Sequence, residues 1–342
     1  MFAIIDCGST ATRIFLLRDN DIIAKKETPN GVNLSASSGN NQLLKQAIAA
    51  CLSELLRENN FRLEDIRFAI ASGMITSNLG LVEIPHLVAP VAIDDLAKFA
   101  RQYNDMTIFP LPIPVVFIPG IKNDIGTATW ENMRSMDLMR GEETQAIGVL
   151  ARYNPELPCT IIELGSTTKL IHIDRAGRIA GSITSLSGQV YGAVLKETFI
   201  GSSVKLADGQ SDIFSPEILQ HAWQSVQNSG LLRTILLTRF IQFSLNTTAA
   251  DRKLFCESAI AADDMKLIDD AKQYGFDLTG EIILVGNENR CRIYHYMIEH
   301  SQKISQAVRQ ITAREDIDRL VIDGANYIAN RLAITIPATT SV

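Results

Sequence analysis

Ile4-Ile5-Asp6-Cys7-Gly8-Ser9-Thr10 and Ile161-Ile162-Glu163-Leu164-Gly165-Ser166-Thr167 are the two stretches that decide the fold. They agree at five of seven positions, and a sixth differs only by Asp for Glu. Each is an apolar run ending in acid-x-Gly-Ser-Thr. Each is followed by a β-rich stretch, an acid-and-turn cluster (Asp19 to Asp21, and Asp174 with Gly177) and another strand. The offset is 157 residues in a chain of 342, which predicts two domains of similar architecture and not a solenoid of short units.

Outward from these stretches, Leu43, Leu44, Ile48, Leu52, Leu55 and Leu56 recur at three- to four-residue spacing and predict an amphipathic helix over 41–57. A buried strand is predicted over 66–71, then a loop over 72–78, and the four prolines in 110–120 predict extended chain. The second half is more helical, with helices predicted over 216–237, 239–246, 258–274 and 294–312. Strands alternating with helices indicate an α/β fold. The expected domains are 1–153 and 154–324, divided where Asn154-Pro155 and Leu157-Pro158 interrupt a helix. A C-terminal helix at about 325–337 is expected to pack back on the first domain.

Composition narrows the function classes. The chain is 46% hydrophobic, 20% charged and 6% aromatic, with 32 Lys plus Arg against 38 Asp plus Glu and a net charge of −6. That apolar content argues against disorder, and the mild acidity gives no global reason to bind nucleic acid or an anionic membrane. The five cysteines (Cys7, Cys51, Cys159, Cys256, Cys291) are scattered and never form a CxxC pair, so neither a disulfide framework nor a zinc site is expected. With no basic leader and no apolar run near the ~20 residues of a membrane helix, the reading is a soluble, cytoplasmic protein.

Two acid-x-Gly-Ser-Thr hairpins suit polyphosphate. Gly8 and Gly165 let backbone approach a phosphate, Ser9, Thr10, Ser166 and Thr167 can donate to its oxygens, and Asp6 or Glu163 can hold Mg²⁺ or its waters. Tight turns also use such residues for purely structural reasons; it is the repetition that favours phosphate. No GxxxxGK[ST] and no GxGxxG occurs. A strand ending in Gly286-Asn287 could receive an adenosine, or be an ordinary strand-to-helix connection. Within Met139-Arg140-Gly141-Glu142-Glu143-Thr144-Gln145, the acids could simply favour a helix N-terminus. Alternatively Glu143, or Glu142, is a general base and Arg140 neutralises phosphate or carboxylate.

Asp6-x-Gly8-Ser9-Thr10 with Arg13, then Gly73-Met74-x-x-Ser77-Asn78-x-Gly80, Pro119-Gly120 and the 139–145 string resemble the 2-dehydro-3-deoxygalactonokinase family. The resemblance implies an actin/hexokinase-like fold, in which two ribonuclease-H-like domains flank an ATP cleft. It implies ATP- and Mg²⁺-dependent phosphorylation of the terminal hydroxyl of a keto-deoxy sugar acid. Asp6, Gly8, Ser9, Thr10 and Arg13 would form the first phosphate hairpin, and Gly165, Ser166, Thr167 and Lys169 the second. Gly73, Met74, Ser77 and Asn78, with Arg140 to Gln145, would face the sugar acid. The family carries tryptophan where Cys7 stands, Pro-Gly-Thr-His-x-Lys-Trp where 164–170 stand, and Thr-Gly-Glu where Ser187-Gly188-Gln189 stands. Two rival readings are an exopolyphosphatase-like phosphohydrolase and a nucleotide-binding regulator without an acceptor site. Monomer and homodimer both stay open.

Overall fold

The computed structural model describes residues 1–18, 21–301 and 306–332. The turn expected at Asp19-Asn20, part of the helix expected over 294–312, and positions 333–337 of the expected last helix lie outside the described residues.

Contacts divide the chain into two compact units. Among the described residues, unit 1 comprises those of Met1–Asp124 and Leu138–Pro155 and those from Asp318 to 332; unit 2 comprises those of Ile125–Asp137 and Glu156–Ile317. These units cut the chain at different residues from the domains expected at 1–153 and 154–324.

Unit 1 contains β1 (Phe2–Cys7), β2 (Thr12–Arg18), β3 (Asp21–Thr28), β4 (Ala69–Gly73), β5 (Leu87–Val88), β6 (Arg101–Tyr103), β7 (Val115–Phe117), β8 (Ile121–Lys122) and β9 (Leu138–Met139). Its main sheet runs β3-β2-β1-β4-β7-β6 and a small second sheet β5-β8-β9. Its helices before the boundary are α1 (Asn33–Ser38), α2 (Gln42–Glu58), α3 (Ile93–Phe99) and α4 (Glu142–Tyr153). The α2 helix buries Leu44, Ile48, Leu52, Leu55 and Leu56 of the stripe its spacing predicts, with Cys51 beside them, in a core shared with Ile5, Ile14, Leu16 and Phe117, while Leu43, expected in the same stripe, is exposed.

Unit 2 contains β10 (Cys159–Leu164), β11 (Thr168–Ile173), β12 (Ile179–Ser185), β13 (Glu281–Gly286) and β14 (Val308–Ile311), ordered β12-β11-β10-β13-β14. Its helices are α5 (Ser187–Glu197), α6 (Ile200–Val204), α7 (Pro216–Ser229), α8 (Leu231–Ser244), α9 (Ala249–Asp264), α10 (Lys266–Tyr274) and α11 (Glu288–Ser301). The last helix, α12 (Arg314–Ala329), enters unit 1 from Asp318.

Both main sheets begin with two antiparallel pairings, β1–β2–β3 and β10–β11–β12. The first strand of each then pairs in parallel with β4 or β13, which pairs in parallel with β7 or β14. The two units therefore share one mixed α/β topology.

Three helical expectations are corrected. The run 216–237 is two helices, because Gly230 adopts φ +76 and turns the chain between α7 and α8. The run 258–274 likewise divides between α9 and α10 at Met265. Of the helix expected over 294–312, α11 covers the described residues to Ser301, and Val308–Ile311 is instead a strand whose pairing with β13 is invisible to local periodicity.

Candidate active site

In unit 1 the chain leaves β1 through Gly8, Ser9 and Thr10, all exposed, and the turn closes when Gly8 N–H donates to Ala11 O at 2.9 Å. The carbonyls of Gly8 and Ser9 accept from the N–H groups of Val32 and Asn33 at 3.1 and 2.9 Å. Gly31 makes this approach feasible: a Cβ there would lie 2.4 Å from Gly8 O. Cross-strand pairing sets Asp6 opposite Arg13. Arg13 Nε and Nη2 both donate to Asp6 Oδ2, at 3.0 and 2.5 Å.

The ends of β1 and β4 and the start of α4 meet around two glycines with positive φ. A Cβ on Gly73 (φ +90) would lie 2.5 Å from Cys7 O and 3.5 Å from Asp6 Oδ1. A Cβ on Gly141 (φ +111) would lie 3.2 Å from Gly73 Cα. Beyond Gly73, Met74 is half-buried, Ser77 Oγ donates to Met74 O at 2.7 Å, and Asn78 is exposed.

The 139–145 string is more enclosed than its polarity suggests. Glu143 is 0% exposed, and both of its carboxyl oxygens accept from Gly141 N–H, at 2.9 and 2.8 Å. Burial, reinforced by the charge of Glu142, pushes its carboxyl up to about 8. Glu142 is half-buried, and its Oε2 accepts from Arg140 N–H at 3.0 Å. Arg140 is also buried: Nη1 donates to Thr76 Oγ1 at 2.8 Å, and Nη2 to Ile84 O at 2.8 Å and His86 Nδ1 at 3.3 Å. Burial, with the charges of Arg140 and Lys122, pulls His86 down to about 4, so its neutral ring accepts from Arg140.

Unit 2 repeats the hairpin. Gly165 and Ser166 are exposed and Thr167 half-buried, and Glu163 stands opposite Lys169 as Asp6 stands opposite Arg13. Lys169, however, is only 3% exposed; its Nζ donates to Thr184 Oγ1 at 2.6 Å and lies 3.8 Å from Asp137 Oδ1. Gly188, at the start of α5, packs on the turn as Gly31 does in unit 1. Arg290 donates to Gly165 O through Nη1 and to Thr168 Oγ1 through Nη2 at 3.1 Å.

Gly286 closes β13 in register with Leu164, as Gly73 is in register with Cys7. Asn287 accepts from Arg290 N–H at 2.8 Å, opening α11. A cavity of about 590 Å³ lies beside this hairpin, lined among others by Gly165, Gly188, Lys253, Glu257, Asn287 and Arg290. Beneath it, the buried carboxylate of Asp264 accepts from Ser185 Oγ at 2.7 Å, Ser187 Oγ at 2.5 Å and Tyr294 OH at 2.5 Å.

Sequence reasoning gave no role to Gly31, His86, Asp264 or Arg290, and met Gly188 only within the Ser187-Gly188-Gln189 departure from the family. The glycines had a signal, because the 157-residue offset that relates Gly8 to Gly165 also relates Gly31 to Gly188. The others had none, since their partners are remote in the chain. Among the described residues, no group of three or more His, Cys, Asp and Glu side chains is placed to hold a metal ion, and no helix is long and apolar enough to cross a membrane.

Residues 6–317 match the family described as 2-keto-3-deoxy-galactonokinase. The chain is 22% identical over 208 residues to the probable 2-dehydro-3-deoxygalactonokinase of Rhizobium meliloti (strain 1021), covering 60% of each. It is 23% identical over 211 residues to the 2-dehydro-3-deoxygalactonokinase of Escherichia coli (strain K12), covering 62% of each. It thus spans about three fifths of the length of the curated relatives it matches. A crystal structure named for 2-dehydro-3-deoxygalactonokinase, from Sinorhizobium meliloti, superposes with a TM-score of 0.70 at 19% identity, covering 96% of this chain and 98% of that one. With its duplicated glycine hairpins and a family match running through both units, the chain belongs to the 2-keto-3-deoxy-galactonokinase family.

Proposed function

We propose that this protein transfers the γ-phosphoryl group of ATP to the terminal hydroxyl of a keto-deoxy sugar acid, on an actin/hexokinase-like scaffold. The observation that carries this reading is the family match across residues 6–317, joined to a glycine turn duplicated in each unit.

The residues present fit the nucleotide. A Cβ on Gly31 or Gly188 would strike the carbonyls of the turn it supports, whereas Gly8 and Gly165 are exposed and without a side chain, which leaves the outer side of each turn accessible to phosphate oxygens. The cavity of about 590 Å³ is of a size for a nucleoside and has Arg290 beside the second turn, while Lys253 in its lining is paired with Asp212 and Glu257. Asp6 keeps Oδ2 on Arg13, which leaves Oδ1 for Mg²⁺ or its waters; one or two carboxylates suffice when phosphates complete the shell. Bound MgATP supplies the transferable phosphoryl group and neutralises its developing charge.

The chain's own residues do the remainder. In each unit the exposed turn offers hydroxyl donors to phosphate oxygens, Ser9 and Thr10 in unit 1 and Ser166 and Thr167 in unit 2. In its ionised form Glu143 takes the proton of the attacking hydroxyl, with Glu142 the second carboxylate of that turn. As Glu143 is fully enclosed, the Gly141 turn must open for substrate to reach it. Arg140 holds Thr76, Ile84 and His86 and so shapes the loop that begins at Gly73. Phosphoryl transfer of this kind depends on positioning and electrostatics. A cytoplasmic location and a choice between monomer and homodimer belong to the same proposal.

ADP release measured against a panel of 2-keto-3-deoxy sugar acids tests the reading. Release that requires one of these acids supports it. No acid-dependent release would overturn it, with phosphate release from polyphosphate pointing to a phosphohydrolase and ATP binding without turnover to a regulator.

A further inference from the structure

We infer that Asp318 is a positioning residue for the first phosphate hairpin, acting on Asp6 through Arg13. The inference rests on the kinase reading of Asp6. Arg13 bridges two carboxylates, with its Nε and Nη2 on Asp6 Oδ2 and its Nη1 donating to Asp318 Oδ1 at 2.9 Å, and a third, Glu27, stands opposite it on β3. Asp318 is 4% exposed, and its other oxygen lies 3.3 Å from Lys25 Nζ. Lys25 and Arg13 stand on neighbouring strands of the sheet that carries the hairpin, so Asp318 ties two strands to one helix.

That helix has little freedom. A Cβ on Gly148 of α4 would lie 1.9 Å from Leu320 O, and a Cβ on Gly324 of α12 would lie 1.9 Å from Thr144 O. The two helices thus cross backbone to backbone, one turn beyond Asp318, and α4 is the helix whose first residues are Glu142 and Glu143. A guanidinium on a long flexible stem would otherwise sample several rotamers. Fixed at one end by Asp318, it presents two donors to a single oxygen of Asp6 and turns the other oxygen, Oδ1, toward Gly73. Position 318 is one residue past the matched family span.

The test compares Asp318→Asn, Asp318→Glu and Arg13→Gln singly and in combination, with Asp323→Asn as control, because Asp323 joins α12 to Arg152 and not to Arg13. Asp318→Asn is expected to lower kcat roughly tenfold to a hundredfold with little change in KM, since small misplacements of a reacting group have effects of that size. Asp318→Glu is expected to restore most of the rate, and Asp323→Asn to leave it unchanged. In the Arg13→Gln background Asp318→Asn should cost nothing further, the non-additivity expected of residues acting as a chain. A wild-type kcat in Asp318→Asn, or equal losses in both backgrounds, would overturn the inference. Circular dichroism and thermal melting guard against a simple loss of fold. Should the wild type show no sugar-acid-dependent turnover, the kinase reading fails by itself; the ¹⁵N–¹H signal of Arg13 Nε then decides, being expected to shift in Asp318→Asn and not in Asp323→Asn, and its constancy in both would refute the inference.

Discussion

Gly188 lies so close to Gly165 that a Cβ on it would be 2.6 Å from the Gly165 carbonyl oxygen. The same relationship joins Gly31 to Gly8, and the gap in sequence is 23 residues in each case, from 8 to 31 and from 165 to 188. Each hairpin turn is therefore seated on a second glycine, Gly31 two residues before α1 and Gly188 in the first turn of α5. Gly188→Ala and Gly31→Ala should each displace a turn and weaken ATP binding by about tenfold or more, that is about 1.4 kcal/mol or more. Gly192→Ala, with nothing within 4 Å of its Cβ, should leave affinity unchanged and strengthen α5 by about 0.5–1 kcal/mol. Titration calorimetry with ATP, alongside thermal melts, reads both; equal affinities in all three variants would contradict the argument.

Asp6→Asn keeps the size of the side chain while removing the charge that Oδ1 offers. Turnover should fall by about a hundredfold or more, in line with the loss of one preorganised charged group, while the fold remains. Initial-rate assays and a circular dichroism spectrum check it; wild-type turnover would remove Asp6 from its role.

Arg140→Ala leaves Thr76 Oγ1, Ile84 O and His86 Nδ1 without their shared donor in a buried setting. The expected loss is about 3 kcal/mol of unfolding free energy, because hydrogen bonds to charged groups contribute more than neutral ones. Urea denaturation gives the figure directly, and an unchanged midpoint would show that the loop holds without Arg140.

Glu143 carries a carboxyl raised from the usual range to about 8. Its contribution to stability is then fully present below the unfolded value near 4.5 and is lost as pH rises through about 8, because the native state retains a proton that the unfolded state releases. Glu143→Gln should flatten the fall in melting temperature over that window. Identical pH profiles for variant and wild type would show that burial does not hold the proton.

His86 has the opposite sign. Held down to about 4 from 6.5, it contributes stability present above the unfolded value and lost as pH falls through about 4. His86→Gln should melt with less acid sensitivity between those values, read by the same pH series of melts.

What the sequence determined by itself was the repeat, and the repeat followed from local chemistry. An apolar run ending in acid-x-Gly-Ser-Thr specifies strand, turn and strand within a dozen residues, so β1–β2 and β10–β11 were legible at both places, as was the buried stripe of α2. The 139–145 string and the Gly73 loop were legible as polar motifs for the same reason. Which charges face what was set by folding. Glu143 and Arg140 look like surface residues in a polar string, yet folding encloses both. Lys169 is turned to Asp137 and Thr184, and Arg13 meets Asp318 across 305 positions. The break of 216–237 at Gly230 and the strand at Val308–Ile311 belong to the same class. Periodicity reports a residue's neighbours a few positions away, whereas burial, ion pairing and parallel strand partners depend on chain segments that only the folded core brings together.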